Sequence, residues 1–264
     1  MQPQQLPGTR GWHWLADGWR LFRAGPLRWL ALVVGYWMLM TAASMLPLIG
    51  VGVVLVLVPG FSVAFMAASR TAERGEPIEL SLLLAGFRQN IGAQLALGGV
   101  YLCSIALLMA ASALADDGAL ARWMLMGQRP DPGSMHSDDF LGALLIAAGI
   151  YMPIMMMFWF APTLVAWHAM PAAKALFFSL FACLMNWRAF TVYGLAVGLV
   201  LFVVPFVSLL AMVLASGGNL RPGAVAVLFP LMLAMMPALF ASFYASYRDV
   251  FGQKAASDDP APEG

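Results

Sequence analysis

Six stretches of the chain run apolar for twenty residues or more, with every charged residue but Arg28 outside them: Leu27–Leu46, Leu48–Ser69, Ile91–Ala115, Phe140–Trp167, Ala189–Ala215 and Ala224–Tyr247. About 20 apolar residues in helical form cross about 30 Å of hydrocarbon, so each run predicts a spanning helix. The runs are continuous and do not alternate apolar with polar positions, which argues against the strands of a membrane barrel. The expected fold is all-α, a polytopic helical membrane protein with six transmembrane helices. The expected organisation is a cytoplasmic N-terminus with an interfacial amphipathic helix over 1–26, one transmembrane domain over 27–251, and a disordered cytoplasmic tail over 252–264.

The segments between the runs carry a second pattern. Trp12, Leu15, Trp19 and Phe22 recur at helical spacing, with His13, Asp17 and Arg20 on the opposing face. Aromatics on one side and basic residues on the other suit a helix at the membrane surface. Ile78–Phe87 is similar, with Pro77 placed to open a helix and Leu80, Leu83, Leu84 and Phe87 turned to apolar material. Ala172–Trp187 repeats the theme. Phe22-Arg23-Ala24-Gly25 aligns with Phe87-Arg88-Gln89-Asn90 and more weakly with Cys183-Leu184-Met185-Asn186, where Gly or Asn suits a left-handed cap. Pro59 precedes Arg70 by eleven residues, as Pro237 precedes Arg248. Three units are expected, each an interfacial helix followed by two spans. The residues expected to meet lipid at the interface are Trp12, Trp19, Arg20, Phe22, Arg23, Phe87, Arg88, Trp187 and Arg188.

Composition sharpens the picture. The chain is 62% hydrophobic and 10% charged, far from the about 25% charged of ordinary soluble domains. One soluble core of 264 residues could not bury so much apolar surface. With an N-terminus on the cytoplasmic side, eleven Lys and Arg fall inside and only Arg122, Arg129 and Arg221 outside. The positive-inside rule then places both termini of this multi-pass chain in the cytoplasm. The first run is too long for the apolar core of a cleaved signal and reads as a retained span. The polar tail carries no cysteine for lipidation. The net charge of +1 offers no basic stripe for phosphates, so no nucleic acid is expected as a partner.

Candidate chemistry is sparse. His13 and His168 are expected inside and His136 outside, so they cannot share a metal. Met152 with Met156, and Met232 with Met236, sit four apart as Cu(I) would favour, but adaptable packing is the simpler role. Cys103 and Cys183 read as packed hydrophobes. The prolines at 59, 153, 162, 205, 230 and 237 read as kinks, and Gly194 with Gly198 as a surface for close helix contact. Asp116–Asp139 reads as a solvated acidic loop whose spacing matches no calcium loop. Polar groups expected at depth are Thr41, Ser44, Ser104, Thr163, Thr191 and Ser208, each able to bond its own helix. No cofactor or catalytic arrangement is expected.

Gly11-Trp12-His13-Trp14-Leu15, Gly18-Trp19-Arg20-Leu21-Phe22, Leu46-Pro47-Leu48-Ile49-Gly50, Pro59-Gly60 and Tyr244-Ala245-Ser246-Tyr247-Arg248-Asp249-Val250-Phe251 together resemble an uncharacterised family of bacterial inner-membrane proteins. That family is similar to the YciC-like membrane proteins and to the membrane domain beside some glycerophosphodiesterases. The resemblance implies an inner-membrane helical bundle and carries over no catalytic residue. The resulting expectation is a non-enzymatic protein that organises the envelope through membrane lipids and a membrane-protein partner or homo-oligomer. The alternative is a permease for a neutral or amphipathic solute, with a polar cavity near the midplane.

Overall fold

The computed structural model describes residues 3–88, 90–131, 133, 137–216 and 222–252, apart from the side chains of 215 and 222–231. The expectations placed on Gln89, His136, Arg221, Pro230 and the tail beyond Gly252 lie wholly or partly outside the described residues.

The described residues are helical, without strands. In chain order they form α1 (Arg10–Arg23), α2 (Pro26–Ser44), α3 (Gly50–Glu73), a 3-10 turn over Leu80–Leu84 running into the short α4 (Ala85–Arg88), α5 (Ile91–Asp116), α6 (Ala119–Met126), α7 (Asp138–His168), α8 (Ala172–Met185), α9 (Trp187–Ala215) and α10 (Pro222–Phe251). Among the described residues α2, α3, α5, α7 and α9 are long and apolar enough to cross a membrane. The sixth predicted run falls inside α10. The protein is therefore a polytopic helical membrane protein. Helix α3 continues through Pro59, α7 through Pro153 and Pro162, and α9 through Pro205.

The chain divides into two compact units, one formed by residues 27–184 and the other by the two ends, 1–26 with 185–264. The predicted transmembrane domain over 27–251 drew no boundary near 185.

In the 27–184 unit, α3 is the central support. Its backbone is open at Val56 and Gly60, one turn apart, and a glycine from another helix seats on each. A Cβ added to Gly98 of α5 would strike the Val56 carbonyl, and one added to Gly86 of α4 would strike the Gly60 carbonyl. Lipid tails are as apolar as the side chains, so burial alone does not pull helices together there. Close backbone approach through small residues supplies dispersion contact instead. The Phe87 ring covers Gly60 and meets Phe61 edge-on at 5.2 Å, and Tyr36 stands edge-on to Phe61 at 5.5 Å and Phe65 at 5.3 Å. Phe87 is thus largely an internal packing residue.

Helix α8 is tied to α7 by a hydroxyl. Ser179 Oγ donates to the Met156 carbonyl at 2.7 Å and accepts from the Phe160 amide at 2.9 Å. Those two backbone groups stand four residues apart, the pair that a regular helix would bond to each other. A side chain inserted there bends a helix. Ser179 is fully buried beside Ala175, Ala182 and Cys183, so α8 presents a small-residue face to its neighbour and sends Phe177, Phe181 and Leu184 outward.

The acidic connection after α5 departs from the solvated loop expected over Asp116–Asp139. It contains α6, whose Leu120 joins Leu108, Phe140, Ala143, Ala147 and Ile154 in an apolar cluster flanked by Trp123. Asp116 organises the turn by accepting from the amides of Gly118 at 3.0 Å and Leu120 at 2.7 Å. Carboxylate acceptance at a helix start satisfies donors that the helix itself cannot. The acidic residue here is a cap.

Two further expectations are corrected. Gly194 and Gly198 have no neighbouring atom within 4 Å of an added Cβ, so they are not the close-contact glycines within the bundle. Of the three predicted caps, only Asn90 is left-handed, at φ 53°. Asn186 has φ −106° and uses its side chain elsewhere.

Candidate functional site

In the unit formed by the chain ends, α1 packs against both α9 and α10. Two glycines seven residues apart allow it. A Cβ on Gly11 would collide with the Ala189 carbonyl and the Tyr193 amide of α9, and one on Gly18 with the Ala238 carbonyl and Ser242 of α10. Between them Trp14 is fully buried, 5.2 Å from the Phe190 ring and 5.9 Å from Tyr193. Tyr193 and Ser242 share a 2.6 Å hydrogen bond that joins α9 to α10. Because Ser242 already donates to Leu239, the tyrosine hydroxyl is the donor.

Helix α1 runs antiparallel to α10. Its start meets the end of α10, where Asp249 accepts from Arg10 Nε at 2.8 Å and from the Trp14 indole nitrogen at 2.9 Å. Arg10 also forms an ion pair with Asp249 through its terminal nitrogen. Arg248 reaches back to Asp17 at 2.7 Å and to Asp249 at 3.2 Å, and Arg20 lies 3.2 Å from Asp17. Three guanidinium groups and two carboxylates thus form one network. Asp249 is its least accessible member, with only 9% of its side chain exposed. Without Asp249, Arg10 and the Trp14 indole would lose the acceptor named here, and Arg248 would keep Asp17.

The segment ahead of α1 is also fastened. The Gln4 amide donates to the Val250 carbonyl and its side chain to the Gly252 carbonyl, both at 2.8 Å. The Asn186 side chain accepts from the Leu6 amide at 2.8 Å and donates to the Gln4 carbonyl at 2.9 Å. An amide that both donates and accepts pairs with an extended backbone as another strand would. That explains why Asn186 is buried and not a left-handed cap.

The inward stripe of α1 is Gly11, Trp14, Gly18, Leu21 and Phe22, while Trp12 and Trp19 stay 50% and 45% exposed. Phe22, expected at the lipid surface, therefore points into the protein, with its ring 5.3 Å from Trp19. Arg20 and Arg23 are exposed beside the two tryptophans. Trp187 and Arg188 stack on each other at 5.4 Å and line a 310 Å³ hollow with Gln5 through Gly8. In the other unit Arg88 is exposed and donates to the Ser81 carbonyl at 3.1 Å.

A second hollow of 350 Å³ runs beside α1. Trp12, Leu15, Ala16 and Trp19 form one wall. Val200 and Val204 of α9 and Met235, Ala238 and Leu239 of α10 form the other. Every side chain lining it is apolar.

Buried polar groups differ from those expected at depth. Thr163 is buried, but Ser44 and Thr191 are exposed, Ser104 and Ser208 are half-buried, and all four bond their own helices. The residues missed are Ser69, Gln94, Ser112, Ser179, Ser242 and Ser246. Gln94 donates to the Pro162 carbonyl at 2.7 Å, and its Oε1 and the neighbouring Thr163 hydroxyl find no partner among the described residues. A glutamine inside an apolar run was the available signal.

Over 258 residues the chain is 41% identical to a probable inner membrane protein of Burkholderia thailandensis, covering 96% of this chain and 94% of that one. No family model and no solved structure matches.

Proposed function

The chain belongs to the family of inner membrane proteins that includes this Burkholderia relative, and from that premise we propose that it is a non-enzymatic membrane protein that recruits anionic lipid to its flank. The observation that carries this reading is the docking of α1, which turns Gly11, Trp14 and Gly18 inward and leaves Trp12, Trp19, Arg20 and Arg23 outward. Indole rings favour the headgroup level of a bilayer. Each arginine near anionic headgroups contributes about 1 kcal/mol. Exposed Arg88, Trp187 and Arg188 extend the same chemistry. The organising role would be exercised on membrane lipids, with a membrane-protein partner or a second copy recruited through them.

The finer likeness, to the YciC-like proteins and the glycerophosphodiesterase-associated membrane domain, is part of this reading. The motifs that carry it include Gly11, Trp14, Gly18, Pro59-Gly60 and Arg248-Asp249, which here are packing and charge-network residues. They support a shared architecture and imply no shared chemistry. A permease would need a polar cavity in the middle of a span, and neither hollow described above is of that kind.

The test is lipid selectivity in a reconstituted bilayer. Spin-labelled phosphatidylglycerol is expected to associate with the protein several-fold more strongly than spin-labelled phosphatidylcholine. Replacing Arg20, Arg23 and Arg88 together by glutamine should bring the two lipids to parity. An unchanged preference in the triple variant would refute the proposal. We further propose that both termini face the cytoplasm, as the eleven-to-three distribution of Lys and Arg supports. A green fluorescent protein fused after Gly264 should then fluoresce, and alkaline phosphatase at the same place should be inactive. The reverse pair of results would invert the topology.

A further inference from the structure

We infer that one internal water molecule is built into the 27–184 unit at an opened turn of α7, bridging the Gln94 side-chain carbonyl of α5 to the Thr163 hydroxyl of α7. The site is independent of the lipid-recruiting role proposed above.

Three observations lead to it. The first is a contrast among hydroxyls. Ser69, Ser112, Ser179, Ser242 and Ser246 are the other buried serines and threonines among the described residues, and each donates to a backbone carbonyl. Thr163 is 1% exposed and finds no partner among the described residues, although a helix hydroxyl ordinarily bonds the carbonyl one turn back. The second is the orientation of Gln94, also 1% exposed. The Pro162 carbonyl can only accept, so the side-chain nitrogen must face it and Oε1 is turned elsewhere in the interior. The two orphaned oxygens belong to groups that meet at the Pro162–Thr163 peptide. Buried polar atoms are nearly always paired, with protein or with ordered water.

The third is the state of α7 beside them. The Ser179 hydroxyl stands in the rung between the Met156 carbonyl and the Phe160 amide. Pro162 has no N–H to return to the Phe158 carbonyl, four residues before it. The helix ladder is therefore interrupted twice between Met156 and Pro162, which opens this turn and leaves the Phe158 carbonyl in need of a donor. Ordered water is among the groups that answer such freed carbonyls within membrane helices. Water suits the whole set: its two hydrogens serve Gln94 Oε1 and the Phe158 carbonyl, and a lone pair receives the Thr163 hydroxyl. A cation would find no buried carboxylate among the described residues to balance it. Phe160, Ala161, Leu164 and Val165 are fully buried around the site, so this water is internal and not an inlet of bulk solvent.

The experiment is a thermal-melting cycle on the full-length protein in detergent, joined to a crystal structure at a resolution that shows ordered solvent. Thr163→Val keeps the side-chain shape and removes only the hydroxyl. With the water in place it should lower Tm by about 2–4 °C, the shift that losing one hydrogen-bonded group gives a chain of this size. A hydroxyl with no partner predicts the opposite sign, because removing it relieves an unpaired buried group. In a Gln94→Met background the loss from Thr163→Val should shrink by roughly half or more, since the shared water has already lost one anchor. The wild-type crystal structure should place one water within hydrogen-bond reach of both Gln94 Oε1 and Thr163 Oγ1, and Thr163→Val should lack it. A Tm that Thr163→Val raises or leaves unchanged would overturn the site, as would strict additivity in the cycle. So would ordered water resolved elsewhere in the unit and none here, a result that decides the point even where a variant fails to fold.

Discussion

Gly18→Leu is expected to detach α1 from α10 and to lower stability by about 3 kcal/mol or more, toward the upper end for overpacking a closely packed contact. The reason is what the new side chain meets. At Gly18 the obstacles are the Ala238 carbonyl, the Ser242 amide and the Ser242 Cβ, and backbone cannot rotate aside as a flexible side chain can. Relief requires the helices to separate, which also exposes Trp14 and strains the Arg10–Asp249 pair. Gly11→Leu, facing the Ala189 carbonyl and Tyr193 amide, should act in the same direction. Thermal denaturation of detergent-solubilised protein reads the effect. Gly52→Ala is the control, since a Cβ there meets nothing within 4 Å and a helical glycine replaced by alanine gains roughly 0.5–1 kcal/mol. A Gly18→Leu variant that melts like wild type would show that α1 is not seated on α10.

Asp249→Ala is the second large effect. It leaves Arg10, Arg248 and the Trp14 indole nitrogen without the acceptor they share. Breaking a buried pair by removing one partner costs about 3–5 kcal/mol. Arg10 and Arg248 keep 34% and 27% of their side chains exposed, so water recovers part of the loss. The expected cost is about 2–3 kcal/mol after that discount. Arg10→Ala should cost less, because Asp249 keeps Arg248 and Trp14. The double variant Arg10→Ala with Asp249→Ala should cost less than the sum of the singles, by roughly 1 kcal/mol or more. Strict additivity in that cycle would mean the two side chains do not interact.

The spans were legible because membrane helices announce themselves by length and continuity. The fifth begins two residues after Trp187 and ends at Ala215, as α9 does, and the third run, from Ile91, coincides with α5 to within one residue. Local periodicity also marked α1 and α8. It grouped Phe22 with Trp12 and Trp19 on the lipid side of α1 and left the inward stripe of Gly11, Trp14 and Gly18 unmarked, because a hydrophobic pattern gives glycine no weight. In a membrane protein the tightest contacts are made by the smallest residues, so Gly11, Gly18, Gly86 and Gly98 were the better guide. The pairing of Arg10 with Asp249 joins residues 239 apart, and one chain has no local signal for it. The same holds for Asn186 clasping Gln4 and for Ser179 entering the α7 ladder. Helix α6 was obscured by the aspartates around it, although Leu120 and Trp123 are spaced to share a helix face. The motif Tyr247-Arg248-Asp249 stood out early, and the structure supplies its partners.

The central claim is that α1 is seated on α9 and α10 with its Trp12, Ala16, Trp19 and Arg23 ridge open to the bilayer. The most direct measurement is a nitroxide scan of single-cysteine variants across Arg10–Arg23, in a background lacking Cys103 and Cys183, reconstituted into lipid. Collisions with oxygen report lipid exposure, and line shape reports packing. The account predicts mobile, oxygen-accessible labels at Trp12→Cys, Ala16→Cys and Trp19→Cys, against immobile and shielded labels at Leu21→Cys and Phe22→Cys. Uniform accessibility along the helix, or a shielded face centred on Trp12 and Trp19, would contradict it.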